Sequence, residues 1–239
     1  MNRGQLAESV NCCRQALSMY GEFNYPRGRI LAADNLGLAL RALGDLPGAL
    51  ALNTENLDLA QEIHLQGQQA VALGRLAALY RDAGRSLNAH ECAERALVLA
   101  RTGGDHECLV EALIVLARAL ADLGRYDEAE AHFAEAMEAV ATSGYLVLKV
   151  ETLIGMADLG ACQARAADAS ASARAALIIA TEHGFPLCEG RALTVLAEVT
   201  ADPLQANEYA RRAREVHGRT GYRLDDERIA AVLTGRWGR

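Results

Sequence analysis

The sequence predicts an all-α solenoid of antiparallel helix pairs with about twelve helices. Three observations support this prediction: small residues recur every 40 positions, glycine recurs at the expected turns, and no alternating apolar–polar run of strand type is present. The turn positions, and the small residues five positions after them, are Gly4, Gly44, Gly84, Gly124 and Ala164, then Ser9, Ala49, Ala89, Ala129 and Ala169. Self-similarity at such a spacing is the signature of stacked helical repeats.

A second periodic set lies eight residues before each turn and pairs a large apolar residue with a small one. Its members are Leu36–Gly37, Leu76–Ala77, Leu116–Ala117 and Met156–Ala157. Leu196–Ala197 extends the set, after which the spacing to the next turn shortens. The two sets together predict two helices in each repeat.

The elements follow in order as one solenoid over residues 1–239. A half repeat, 1–24, holds a second helix without its first. Five full repeats follow at 25–64, 65–104, 105–144, 145–184 and 185–220, and a capping helix lies within 221–239. The predicted helices are 4–20, 27–43, 46–64, 67–83, 86–102, 106–123, 126–143, 146–163, 166–183, 186–200, 203–218 and 223–234.

The third full repeat shows why each pair is predicted. Leu109, Leu113 and Leu116 place apolar side chains at three- and four-residue spacing, as one face of a helix requires. Gly124 suits the left-handed residue that ends a helix. The carboxylates of residues 127–130 then occupy the first turn of the next helix, where the helix dipole favours negative charge.

Both ends of the chain differ from the interior. The half repeat leaves an apolar face that we expect to be covered by an upstream segment, a partner chain or a second copy, so the chain is expected to be a fragment of a longer protein or a homo-oligomer. At the other end, Leu224, Ile229 and Val232 give the basic tail an apolar face. This face predicts a capping helix; the alternative is a partner site at Trp237 and the last arginines.

Composition excludes several classes of protein. The net charge of −7 argues against direct nucleic-acid binding. No signal peptide and no apolar run of membrane-spanning length is present, so we expect a cytoplasmic protein that does not interact with a membrane. The six cysteines form no CxxC pair and are expected to be small buried hydrophobes, without a metal or a disulfide.

Catalytic motifs are also missing. Lys149 is the only lysine and lies in Val-Leu-Lys-Val, so no phosphate-binding GxxxxGK[ST] loop exists, and neither GxSxG nor HExxH occurs. We therefore expect no enzyme and no cofactor. His64, His183 and His217 lie near the ends of second helices, where an imidazolium would suit the helix C-terminus.

The chain resembles the tetratricopeptide (TPR) repeat family. The residues that carry the resemblance are Leu36-Gly37-Leu40-Gly44-Ala49, Leu76-Ala77-Tyr80-Gly84-Ala89-Ala96 and Leu116-Ala117-Leu120-Gly124-Tyr126-Ala129-Phe133-Ala136. The period is 40 residues and not the usual 34, so each helix is about one turn longer. The usual tryptophan and closing proline are absent, and Gly160 stands where an aromatic or leucine is common. The resemblance implies a right-handed superhelix.

The phrases Asn-Leu-Gly, Ala-Leu and Arg-Tyr-x-Glu-Ala further resemble the C-terminal arrays of SARP-type, MalT-like and large LuxR-type bacterial transcriptional activators. Similar arrays occur in Rap- and PlcR-like peptide sensors. This resemblance implies a role in transcription regulation or signalling in a bacterial cytoplasm.

In TPR arrays the first helix of each pair lines the concave face, and this implies a set of partner-binding residues. They are Asp34, Asn35, Leu38, Arg41, Arg81, Glu111, Arg118, Glu151, Asp158, Arg191 and Glu198. Arg41, Arg81 and Arg118 are expected to present a ladder of positive charge to an acidic partner segment. The Lys/Asn set with which chaperone-binding TPRs hold a terminal carboxylate is absent, since Asn35 stands alone.

The sequence therefore predicts a non-enzymatic protein-interaction or sensing module that binds a peptide, a protein segment or other domains of a longer parent protein on its concave face. The alternative is a receptor whose groove binds a small molecule or signalling peptide. A long, shallow, polar groove favours the first, and an enclosed apolar cavity of roughly 300–1,000 Å³ favours the second. A helical-repeat enzyme and a purely structural scaffold remain minor alternatives.

Overall fold

The computed structural model describes residues 3–236, and within that range it contains twelve α-helices and no β-strand. Every predicted helix is present, with its ends within three residues of the prediction. The helices are α1 (Arg3–Glu22), α2 (Pro26–Ala42), α3 (Leu46–Glu62), α4 (Gln66–Asp82), α5 (Ser86–Gly103), α6 (His106–Asp122), α7 (Tyr126–Ser143), α8 (Leu146–Cys162), α9 (Ala166–Glu182), α10 (Pro186–Val199), α11 (Pro203–Thr220) and α12 (Asp226–Leu233). The all-α solenoid is thus confirmed.

Left-handed residues end the helices at the same 40-residue spacing. The turns inside pairs use Gly44, Gly84, Gly124 and Ala164, and the turns between pairs use Asn24, His64, Gly104, Gly144 and Gly184. At most of these turns the left-handed residue reverses the backbone so that the next amide donates back to the finished helix. The N–H of Asp45, for example, donates to the Leu40 carbonyl at 2.9 Å.

The helices form two layers of different character. The backbones of the even-numbered helices approach one another in succession from α2 to α12, whereas successive odd-numbered helices of the described chain show no such backbone approach and meet only through long side chains such as Arg101 and Glu135. In a curved two-layer stack, successive helices of the inner layer lie closer together than those of the outer layer. The even-numbered helices therefore line the concave face, where they were expected.

Alanine sets the spacing between the layers. Ala49, Ala89, Ala129 and Ala169 are completely buried. Small side chains at these positions let paired helices approach closely. A Cβ on Gly160 would lie 3.1 Å from the Ala169 amide nitrogen, so this glycine marks a close approach of α8 to α9.

The two ends of the solenoid meet. Helix α1 contacts α11, and the N–H of Arg223 donates to the Ala42 carbonyl at the end of α2, at 3.0 Å. Tyr222 packs against the apolar cluster that contains Leu6 and Leu36. Repeats of a solenoid ordinarily contact only their neighbours. Here the last pair covers part of the N-terminal face for which we had expected an external partner.

Helix α12 caps the C-terminal end, with Ile229 and Val232 buried against α10 and α11. Trp237 lies outside the described residues. His217 differs from expectation: it is buried, and neither ring nitrogen has a hydrogen-bond partner among residues 3–236. Burial lowers the pKa of His217, so it packs as a neutral ring against Tyr222 and is not a charged helix cap.

Within residues 3–236, no helix combines the length and the apolar character that crossing a membrane requires.

Candidate binding groove

The concave face encloses a cavity of about 330 Å³ with walls from α2, α4, α6, α8 and α10. Six of the predicted groove residues line it: Leu38, Arg41, Glu111, Arg118, Glu151 and Arg191. The other five do not line it. Asp34 and Arg81 form ion pairs with neighbouring first helices. Asp158 and Glu198 form ion pairs with an arginine of α12. Asn35 is exposed and donates to the Leu31 carbonyl of its own helix.

The arginine ladder is not a free positive surface. Arg41 donates to Asp82 at 2.5 and 3.2 Å, and Arg81 donates to Asp122 at 2.6 and 3.1 Å. Both pairs are bidentate, the strongest geometry for this contact. These arginines therefore link successive first helices. Reversing their charge would destabilise the fold, so it could not serve as a clean test of binding.

A sequence signal for these pairs exists. Arg41 and Asp82 are 41 residues apart, as are Asp34 and Arg75, and Arg81 and Asp122. The spacing is one repeat plus one residue, which places opposite charges side by side on neighbouring first helices. Searching for opposite charges at this spacing would have found Arg75, Asp82 and Asp122.

At one end of the cavity, carboxylates outnumber arginines. Arg75 donates to Asp34 at 2.9 Å and also pairs with Glu111 at 3.5 Å. A single guanidinium is thus shared by two carboxylates, which leaves one negative charge in surplus. Burial raises the pKa of Glu111, and Asp34 adds to the shift against the attraction of Arg75.

Farther along the cavity the imbalance is reversed. Arg118 and Arg191 share one carboxylate, Glu151, at 2.9 and 2.5 Å. Burial opposes the charge on Glu151, yet the attraction of Arg191 and Arg118 outweighs it and holds the pKa of Glu151 well below its usual range. Burial lowers the pKa of Arg118, and the nearby Arg191 lowers it further. One positive charge is in surplus here.

A third cluster lies outside the cavity lining and fixes the C-terminal cap. Arg228 of α12 contacts Asp158 of α8 at 2.8 Å, Glu198 of α10 at 2.6 Å and Asp225 at 3.3 Å. From the sequence, Arg228 was only one of the basic residues of the tail. In the structure, its ion pairs hold the capping helix α12 against α8 and α10.

Asn53 is a polar residue that the sequence analysis missed. It is 1 % exposed, lines the cavity, and its Oδ1 accepts no hydrogen bond from the described residues. The positions 40, 80 and 120 residues later hold Ala93, Phe133 and Ala173. Gly37 makes room for it, because a Cβ there would lie 2.4 Å from the Asn53 Nδ2. A polar residue at an otherwise apolar position of the repeat was the available signal.

The remaining walls of the cavity are apolar and include Leu38, Ile114, Val147 and Leu187. The Sγ of Cys188 lies 3.6 Å from Glu151 Oε1, and burial, together with that carboxylate, raises the pKa of this thiol to about 12. A neutral thiol is a poor nucleophile. Among the described residues, no three His, Cys, Asp or Glu side chains are grouped so that they could hold a metal ion.

Comparison with protein families gives two matches, both described as tetratricopeptide repeat, at residues 29–65 and 68–142. Tetratricopeptide repeats are therefore present in this chain. A search of curated proteins gives no match.

Several solved structures share the fold over most of the chain. BtubC (BKLC) from P. vanneervenii is 21% identical with a TM-score of 0.61, covering 90% of this chain and 89% of its own. A Rap protein complexed with competence and sporulation factor is 14% identical with a TM-score of 0.73, covering 95% and 68%. A signal transduction ATPase with a tetratricopeptide repeat sensor from Pyrococcus horikoshii is 16% identical with a TM-score of 0.58, covering 87% of this chain but 33% of its own.

Proposed function

We propose that this chain is a non-enzymatic sensing module that binds an extended peptide or protein segment in its concave cavity. The observation that carries the proposal is the cavity itself: five helices converge on it with apolar walls, charges of both signs, and two polar atoms that have no partner in the described residues. Such a mixture suits a peptide, which presents backbone amides, charges and apolar side chains together.

The broader role that we propose is in a bacterial transcriptional regulator or signalling protein of the cytoplasm, with the repeat array responding to its ligand or to other domains of the same protein. Two likenesses support this context. The sequence resembles the arrays of SARP-type and MalT-like activators. The fold is shared with a Rap protein complexed with competence and sporulation factor and with a signal transduction ATPase that has a tetratricopeptide repeat sensor.

The second candidate is a receptor for a small molecule. The cavity volume of about 330 Å³ favours it, because pockets for small ligands begin at roughly 300 Å³. Native mass spectrometry of protein purified from its own host separates the two candidates: a retained peptide supports the first, and a retained non-peptide mass supports the second.

A blocked cavity tests the site. Gly74 lines the cavity, and a Cβ built on it meets nothing within 4 Å, so Gly74→Trp can fill the space without disturbing α4. Gly67 lies two turns earlier on the same helix, is equally open and does not line the cavity, which makes Gly67→Trp the matched control.

The probes are peptides selected on the wild-type protein from a phage-displayed random heptapeptide library. We expect Gly74→Trp to lose at least ten-fold in affinity by calorimetry while Gly67→Trp binds as the wild type does. Equal affinity in all three proteins would mean that the concave cavity is not the binding site.

A further inference from the structure

The two ends of the cavity carry opposite surplus charges on a single helix. Glu111 and Arg118 both belong to α6 and both line the cavity. They are seven residues apart, which is two helical turns, or about 10 Å along the axis. The first belongs to a cluster with one carboxylate too many, and the second belongs to a cluster with one guanidinium too many.

Among the described residues that line the cavity, no further charge offsets these surpluses. Arg41, which also lines it, is matched by Asp82 and adds no net charge. The Arg228 cluster lies outside the lining, although its Asp158 attracts Arg118 and Arg191 from there. Inside the cavity, a ligand that completes both clusters must bring a cation to Glu111 and an anion to Arg118.

Two buried polar atoms without hydrogen-bond partners also indicate a ligand. Asn53 and Arg118 both line the cavity, and each holds one buried polar atom, the acceptor Oδ1 and the donor Nε, without a hydrogen-bond partner from the described chain. A buried polar group without a partner destabilises the fold, so residues that hold such atoms mark places where a ligand can restore lost hydrogen bonds. A peptide unit offers one N–H donor and one carbonyl acceptor.

We infer that the cavity selects an extended dipolar peptide stretch of about three residues, its cationic end at Glu111 and its anionic end at Arg118. The length follows from the charge spacing, because an extended chain advances about 3.3–3.6 Å per residue. The inference rests on the proposed function, since it names the ligand class of the same cavity.

The test uses a synthetic tripeptide mixture, in which the terminal ammonium and carboxylate supply the two charges of the stretch. It is prepared in four forms: both ends free, N-acetylated, C-amidated, and capped at both ends. Binding to the full chain is measured by ligand-observed NMR titration. We expect the form with free ends to bind at least ten-fold more tightly than the doubly capped form, with each single cap in between.

Two variants assign the ends. Arg118→Gln should erase the difference between free and amidated carboxyl ends, and Glu111→Gln should erase the difference between free and acetylated amino ends. Arg81→Gln, from a one-to-one pair outside the cavity, and Glu107→Gln, exposed on the same helix as Glu111, should preserve both differences. Thermal denaturation confirms that all four variants are folded.

Different results would contradict the selection of a dipolar peptide and the proposed peptide-binding function. If the four forms bind equally and Gly74→Trp still abolishes binding, the dipolar selection is wrong and the proposed function stands. If the tripeptides do not bind the wild-type protein in any form and the selection yields no heptapeptide that binds it, the proposed function itself is wrong.

Discussion

Ala164 occupies a left-handed turn position that glycine fills in three equivalent turns. Its φ of 56° lies in a region that costs a residue with a Cβ about 1–2 kcal/mol. Gly124, one repeat earlier, has a φ of 74° at no such cost. The repeat register predicted the turn at 164 from spacing alone. The strain at that turn follows from one local exception to the glycine pattern.

The first prediction exchanges the two residues. Ala164→Gly should stabilise the protein by about 0.5–1 kcal/mol, because relieved strain exceeds the added entropy of the unfolded chain. Gly124→Ala should destabilise it by a similar amount. Urea denaturation of both variants measures the difference, and the same sign of change in both would contradict the assigned backbone.

The second prediction concerns Glu151, whose pKa is held below its usual range despite burial, by Arg191 and Arg118. A depressed carboxylate stabilises the fold above its unfolded pKa, near 4.3, and that stability disappears as the pH falls through the lower folded pKa. Because the side chain is 23% exposed, we expect Glu151→Gln to cost about 1–3 kcal/mol at pH 7, less than a fully buried pair.

Acid titration of stability checks this sign. The gap between wild type and Glu151→Gln should narrow steadily below about pH 4. A gap that is constant from pH 7 to pH 3 would show that the ion pairs do not act through ionised Glu151.

At the scale of helices, alanine contacts decide how closely the two layers pack. Their positions were predictable, because periodic small residues identify the inner side of second helices without any tertiary information. The ion pairs between successive first helices were not predicted. They depend on how far one repeat shifts against the next, a quantity that hydrophobic periodicity does not contain. Asn53 was missed for a related reason, since its burial follows from the missing side chain of Gly37 on another helix.

The third prediction tests the layer contact. Ala129 is completely buried on α7, whereas Ala134 on the same helix is exposed. Ala129→Leu should cost about 1–3 kcal/mol through overpacking, and Ala89→Leu should behave alike. Ala134→Leu should change stability by about 0.5 kcal/mol or less. Thermal denaturation that ranks Ala134→Leu as the most harmful would show that the register is wrong.

At the scale of the whole molecule, contact between the first and last helix pairs closes the solenoid. The fold class needed only local periodicity, so the sequence was sufficient to predict it. Closure is a long-range property, set by the curvature accumulated over five repeats, and no periodic pattern marks Tyr222 or the Arg223 amide as its contact points.

The fourth prediction opens this closure. Tyr222→Ala removes a side chain from the N-terminal cluster, whereas Arg223→Ala retains the backbone N–H that bonds Ala42. We expect Tyr222→Ala to raise the radius of gyration in small-angle scattering and to speed amide exchange in α1 and α2. Arg223→Ala should match the wild type. Unchanged scattering and exchange for Tyr222→Ala would mean that the ends do not depend on this contact.

Hydrogen exchange in the presence of the tightest selected heptapeptide shows whether ligands bind in the concave cavity. We expect slower exchange in α4, α6 and α8, which supply Gly74, Glu111, Arg118 and Glu151 to the cavity, with α5, α7 and α9 unchanged. Protection confined to the odd-numbered helices, or to the exposed Met19 and Phe23 at the end of α1, would contradict it.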